Sequence, residues 1–234
     1  MMHRKEVNER SPLRLLEKSI HGGLGRGNLG VVVAQRGVGK TAFLVGIALD
    51  DLLRGRKVLH VALDEPVEKI RDYYDEIFID LAHSLNLENI GDERLEVERN
   101  RNIHTYVGNT FSIGKLREAI EFLRTYMDFD PAALIVEGFD FEKATYADMD
   151  GLRQVARDIN GEIWMSAVTH RQSRRNDRGV PEPVAHLEEA IDVILSMQHS
   201  GTAVHLHLLK DHDNREVSDS HVALDPTSLL LVQE

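Results

Sequence analysis

The chain has 234 residues, 42% of them hydrophobic, with no cysteine and a formal net charge of −11. A chain of this length and apolar content can bury about 70–75% of the surface its unfolded form exposes, so one globular domain over residues 1–234 is expected. The lack of cysteine excludes disulfides, iron–sulfur clusters and thiolate zinc sites, and the acidic balance argues against a general coat for nucleic acid while leaving a local basic patch open.

The opening residues are charged and lack the apolar core of a cleaved signal, and no apolar run approaches the roughly 18 residues of a membrane span. A cytoplasmic setting without a membrane is the expectation, with residues 1–12 flexible. Pro12–Ile20 reads as a short helix, with Ser11 as N-cap and Pro12 at its first position, ended by Gly22 and Gly23.

The stretch Gly30–Leu44, GVVVAQRGVGKTAFL, passes from a valine-rich run through a glycine-broken turn into helical sequence. It reads as strand, phosphate loop and helix. Gly37 and Gly39 lack a Cβ, so the backbone can take positive φ there and turn its N–H groups inward around a phosphate. Lys40 supplies a mobile charge, and Thr41 opens a helix whose N-terminal N–H groups and dipole favour an anion. The Thr41 hydroxyl is placed to ligate the Mg²⁺ that accompanies a nucleoside triphosphate. The pattern GxxxxGK[ST] is complete except that Ala34, small enough for the turn, stands at the first glycine. Gln35, Arg36, Gly37, Val38, Gly39, Lys40, Thr41 and Ala42 are thus the expected nucleotide-binding residues, with ATP and Mg²⁺ as ligands.

Thr41–Leu53 is dense enough in apolar positions to be a largely buried helix, closed by Gly55. Lys57–Leu63 is the next strand. Asp64 is a candidate helix cap, and Pro66 suits the first turn of a helix running to about Leu85. That helix turns Val67, Ile70, Tyr74, Ile77, Phe78 and Leu81 inward. The charge-dense residues 88–102 read as a solvated connection with a helical piece. Asn102–Val107 is a third strand, and Ser112 begins a helix with Leu116, Ile120, Leu123 and Met127 on one side.

After Pro131, Ala132–Val136 is an apolar strand with Glu137 and Gly138 at its C-terminal end. A helix over Asp148–Asn160 leads to the strand Glu162–Thr169, and residues 171–183 form a loop without apolar periodicity. Leu187–Met197 reads as a short helix and strand, Ala203–Leu209 alternates as an edge or antiparallel strand would, and residues 221–234 finish as a hairpin. Repeated strand and helix predict an α/β fold: a doubly wound, mostly parallel central sheet flanked by helices, with antiparallel strands near the C-terminus. Ligands are expected at the C-terminal ends of the parallel strands.

Residues 22–41, GGLGRGNLGVVVAQRGVGKT, resemble the opening of RecA-like ATPase domains, above all those of the KaiC, RadA and DnaB-helicase group. The resemblance extends more weakly to about Asn214. It implies a Mg²⁺-dependent ATPase working as a subunit of a homo-oligomer, with a hexameric ring among the forms allowed.

Triphosphate hydrolysis needs a cradle, a metal, a carboxylate that orients water and a charge that stabilises the transition state. Thr41 and an acidic group at the end of a nearby strand hold Mg²⁺ directly or through water. Glu137 takes that place, and Asp140 is the alternative. The relatives ordinarily carry Asp; the extra methylene moves the carboxylate by roughly 1.5 Å, which a bridging water can absorb.

By the same resemblance, the general base follows the strand after the phosphate-loop helix, which points to Glu65 and, next to it, Asp64. A polar sensor of the γ-phosphate follows Glu162–Thr169, where His170 and Gln172 both qualify. Arg171, Arg174, Arg175 and Arg178 lie on a loop that in the relatives faces a DNA strand. Guanidinium groups there can contact phosphates, but no aromatic is present for base stacking, and nucleic acid is not the favoured partner. Ring-forming relatives also present a Lys-x-Arg pair to the neighbouring subunit's nucleotide. Lys210 matches, whereas His212 replaces the arginine and lacks its fork. That departure implies slow or triggered hydrolysis, and it keeps open a nucleotide-sensing switch or assembly protein with little turnover, beside a DNA-linked motor or recombination accessory factor. His205 and His207 share a strand face with no third ligand at metal spacing, so solvated or packed histidines are expected.

Overall fold

Strands that are apolar on both faces need helices above and below them, and this chain alternates the two. The computed structural model describes residues 13–20, 22–84, 86–200, 203–214, 222–225 and 231–233. Among these residues nine strands form one sheet in the order β3-β2-β4-β5-β1-β6-β7-β8-β9. They are β1 (Leu29–Ala34), β2 (Val58–Leu63), β3 (Arg101–Tyr106), β4 (Ala133–Glu137), β5 (Glu162–Val168), β6 (Val193–Ser200), β7 (Ala203–Asp211), β8 (Val222–Leu224) and β9 (Leu231–Gln233). From β3 to β6 every pairing is parallel, and from β6 to β9 every pairing is antiparallel. This is the doubly wound α/β sheet with antiparallel C-terminal strands that the sequence predicts.

The helices are α1 (Leu13–Ser19), α2 (Lys40–Leu53), α3 (Val67–Ser84), α4 (Ile90–Asn100), α5 (Ile113–Met127) and α6 (Tyr146–Asp158). One apolar layer joins α1, α2 and α3 to one face of the sheet, and a second joins α5 and α6 to the other. The strand that feeds the glycine loop before α2 is buried along its whole length. Its Gly30 is demanded by packing, because an added Cβ would fall 2.5 Å from the Trp164 ring on β5. The far end of α2 is fastened by charge: Asp50 pairs with Arg14 and, at 2.6 Å, with Arg54, and Asp51 pairs with Arg56 at 2.5 Å. The glycine loop is thus strung between a buried strand and an anchored helix.

Several expectations are adjusted. Ser11 and Pro12, proposed to open the first helix, lie outside the described residues. The charge-dense stretch folds into the full helix α4, which buries only Val97. Met127 is 56% exposed rather than inward, because α5 ends there in a left-handed residue, Asp128. The predicted helix near Leu187 is a 3-10 helix, Ala185–Ala190. β7 is an interior antiparallel strand, flanked by β6 and β8, and β8 pairs with β9 as a hairpin whose turn lies outside the described residues. No helix among the described residues is long and apolar enough to cross a membrane.

Candidate functional site

Between Ala34 and Lys40 the chain turns on two glycines in the left-handed region, Gly37 at φ 79° and Gly39 at φ 105°. A side chain at Gly39 would also crowd the Leu224 Cδ2 atom at 3.1 Å. No side-chain hydrogen bond caps the N-terminus of α2, so its first N–H groups keep their capacity for an anion. Lys40 folds back over the loop, its Nζ donating to the carbonyls of Ala34 at 3.2 Å and Gln35 at 3.0 Å. Burial lowers the Lys40 pKa; the nearby Glu137 carboxylate opposes that shift and Arg36 reinforces it.

Glu137 ends β4, which is separated from β1 by β5. The Thr41 hydroxyl nevertheless donates to Glu137 Oε2 at 3.1 Å. The other oxygen, Oε1, is buried and has no hydrogen-bond partner among the described residues. Burial pushes the Glu137 carboxyl up to about 7, against the Thr41 hydrogen bond and the Lys40 charge, with the Glu65 charge adding to the rise. Gly138 lets β4 end close to β2: its φ is 80°, and an added Cβ would lie 2.7 Å from the Leu63 carbonyl oxygen. Asp140, the alternative metal ligand, turns outward to pair with Lys143 at 2.7 Å. The carboxylate that meets Thr41 is Glu137.

These groups fit a Mg²⁺ ion that arrives with a polyphosphate. A hydroxyl stands beside a buried carboxylate with one bare oxygen, where a cation would offset the burial of charge. Among the described residues no group of three or more His, Asp or Glu side chains could hold a metal alone. An ion here would complete its shell with phosphate oxygens and water, as Mg²⁺ commonly does.

The two carboxylates after β2 have different partners. Asp64, at φ 63°, accepts from the Gly108 N–H at 2.6 Å and donates its own N–H to the Tyr106 carbonyl at 2.9 Å, clamping the ends of β2 and β3 together. It does not cap α3, which opens at Val67 with its first bond running from the Ile70 N–H to the Pro66 carbonyl. Glu65 accepts from Lys69 Nζ at 2.8 Å, and its charge is the one that reaches Glu137. The spacing of Glu65 and Lys69, one helical turn apart, was the available signal for this pair.

A cavity of about 310 Å³ opens beside the glycine loop. It is lined by Gln35 and Val38 from the loop, Thr169, His170 and Arg171 after β5, and Ser196 to His199 of β6. Thr169 fixes the strand end there, donating its N–H to the Ala34 carbonyl at 3.1 Å and its hydroxyl to the Glu182 carbonyl at 3.0 Å. Of the two sensor candidates, His170 lines this cavity and Gln172 does not. Ser196 is a further lining residue that no sequence pattern flagged; its buried hydroxyl has no partner among the described residues.

Lys210 and His212 are engaged within their own chain. Lys210 Nζ donates to the Glu188 carbonyl at 2.8 Å. His212, at φ 51°, holds Asp211 Oδ1 at 2.8 Å with Nδ1 and the Leu24 carbonyl at 2.9 Å with Nε2. Burial works to lower its pKa, but the bonds to the Asp211 carboxylate and the Leu24 carbonyl outweigh it and the pKa rises. On the arginine loop, Arg178 pairs with Glu188 at 2.8 Å, and Arg175 donates to the Gly179 carbonyl at 2.8 Å. Two of the four guanidinium groups proposed for nucleic acid thus have partners in the loop region itself. Neither a family model nor a curated protein matches this chain.

Proposed function

We propose that the chain binds Mg²⁺–ATP at residues 35–42 and hydrolyses it as a RecA-like ATPase of the KaiC/RadA/DnaB type, acting in a homo-oligomer. The observation that carries this reading is the Thr41–Glu137 pair: a loop-helix hydroxyl and a buried carboxylate from a non-adjacent strand, with one carboxylate oxygen bare. Inward N–H groups of the glycine loop and of the α2 N-terminus cradle the phosphates. Lys40 exchanges its two carbonyl partners for phosphate oxygens, a stronger charge-assisted contact. Thr41 and Glu137 hold the ion, which when bound neutralises charge developing on the transferred phosphoryl group. Glu65 orients the attacking water.

Titration of ATP with and without Mg²⁺ tests this. Wild type binds roughly tenfold or more tightly with the ion, and Thr41→Ala and Glu137→Gln lose that difference. Equal Mg²⁺ dependence in all three proteins contradicts the assignment.

A second reading, a nucleotide-sensing switch with little turnover, is favoured by one observation: the Glu65 carboxylate is already bonded to Lys69. Steady-state phosphate release separates the two. Equal, near-zero rates for wild type and Glu65→Gln support the switch, and a clear wild-type excess supports the ATPase.

A further inference from the structure

We infer that the cavity between β6 and the arginine loop is a second ligand site, built for a phosphate group that is either free or carried on a small molecule. It is separate from the glycine loop, and the inference does not depend on nucleotide binding at residues 35–42.

Strand register sets the floor of the cavity. Val33 of β1 pairs with Ser196 of β6, so their side chains share one face of the sheet, the face whose apolar layer includes α5 and α6. Ile194, two residues before Ser196 on the same face, belongs to that layer as well. Ser196 breaks the pattern. It is 3% exposed, and its hydroxyl has no partner among the described residues. A buried hydroxyl left unbonded costs stability that a valine in its place would not. A ligand oxygen in the cavity that Ser196 lines would satisfy it.

The roof is a folded loop. Arg175 and Pro181 form an antiparallel bridge, the Asn176 N–H donates to the Val180 carbonyl at 3.0 Å, and Asn176 Oδ1 accepts from the Val180 N–H at 2.9 Å. Arg175 gives one N–H to the Gly179 carbonyl and keeps the rest of its five donors. Arg171 also lines the cavity, and its guanidinium has no hydrogen-bond or ion-pair partner among the described residues. Its backbone is steadied by the neighbouring His170 N–H, which donates to the Ser173 hydroxyl at 2.9 Å.

No carboxylate lines this cavity, although the whole chain carries a net charge of −11. Two guanidinium groups, the amides of Gln35 and Gln198 and an unbonded hydroxyl make a donor set matched to a phosphate dianion, whose oxygens accept paired N–H groups from arginine. A volume of about 310 Å³ is at the small end for ligand pockets, which suits a phosphomonoester better than a polymer. Lys40, Thr41, Glu65 and Glu137 do not line it, and α2, which carries Lys40 and Thr41, packs on the opposite face of the sheet. The phosphate taken here is therefore a different one from any held by the glycine loop.

Calorimetric titration with inorganic phosphate and with ribose 5-phosphate, at physiological ionic strength, tests this. It is run in Lys40→Ala, so that the glycine-loop ammonium takes no part. One site is expected to remain, and the tighter of the two ligands tells whether the phosphate is taken free or on an organic carrier. Adding Arg171→Ala weakens that site roughly tenfold, and Arg171→Lys recovers part of the loss. Adding Ser196→Ala weakens it about threefold without lowering the melting temperature of the unliganded protein, which loss of a merely structural serine would lower. Absence of binding by both ligands in Lys40→Ala, or an affinity that either added alanine leaves unchanged, overturns the proposal. So does an Arg171-dependent complex with a single-stranded oligonucleotide where neither small ligand binds, which would assign the loop to nucleic acid.

Discussion

Thr41 and Glu137 meet at 3.1 Å although β5 lies between the strands that lead to them. The contact is possible because Thr41 stands in the first turn of α2, which crosses above the sheet, and Glu137 is the last residue of β4. Its cost is a carboxylate buried to 6% exposure.

That burial makes stability depend on pH. Glu137 keeps its proton to about 7 in the folded chain against an ordinary 4.5, so between those values the folded form binds more protons than the unfolded form. Stability therefore falls as pH rises through this window. The shift corresponds to at most about 3 kcal/mol. Glu137→Gln removes this part of the slope, so without nucleotide the variant should be more stable than wild type at about pH 8, with the gap closing towards about pH 5. Urea unfolding at several pH values measures it. Part of any residual slope belongs to Glu162, which burial also pushes up to about 7.

Gly138→Ala is expected to destabilise the chain by about 1–3 kcal/mol, since the residue must hold a positive φ against the Leu63 carbonyl. Because Gly138 follows Glu137, nucleotide affinity should fall as well. A variant with unchanged melting temperature would show that β4 can end elsewhere.

On the proposed reading, the Glu65–Lys69 pair sets the rate of turnover. Glu65→Gln should lower phosphate release by roughly 100-fold or more if Glu65 positions the water. Lys69→Ala, which frees the Glu65 carboxylate from its 2.8 Å partner, should raise the rate. Slower turnover in Lys69→Ala would instead assign Lys69 a direct part in the reaction.

His212 ties the C-terminal strand β7 to Leu24, so His212→Ala should cost about 1 kcal/mol through the lost hydrogen bonds. Its raised pKa adds a sign. The charge-dependent part is full below the ordinary value of 6.5 and is lost as pH rises through the folded value. The difference in melting temperature between wild type and His212→Ala should therefore be larger at about pH 6 than at about pH 9.

The strand, glycine loop and helix around Lys40 were legible because each depends on residues close together in sequence: a valine run, two glycines needing positive φ and an uncapped helix start. Glu137 was legible as the polar end of an apolar strand. Strand order was not, since nothing local states that β5 separates β1 from β4. Helix α4 was legible only as a helical piece, not at its full length, because it buries one side chain, Val97, and starts at Asn89 in a left-handed conformation without a side-chain cap. The helix-cap reading of Asp64 failed because its partner, the Gly108 N–H, lies 44 residues away. His212 meets Leu24 across 188 residues, a contact that no spacing rule encodes.

Binding of Mg²⁺–ATP to wild type and to Lys40→Ala, measured by isothermal titration calorimetry, is the most direct measurement. Loss of one charge-assisted contact of about 1.5–3 kcal/mol predicts that Lys40→Ala binds tenfold or more weakly. Equal affinity in the two proteins, or no binding to wild type, would contradict a phosphate-binding loop at residues 35–42.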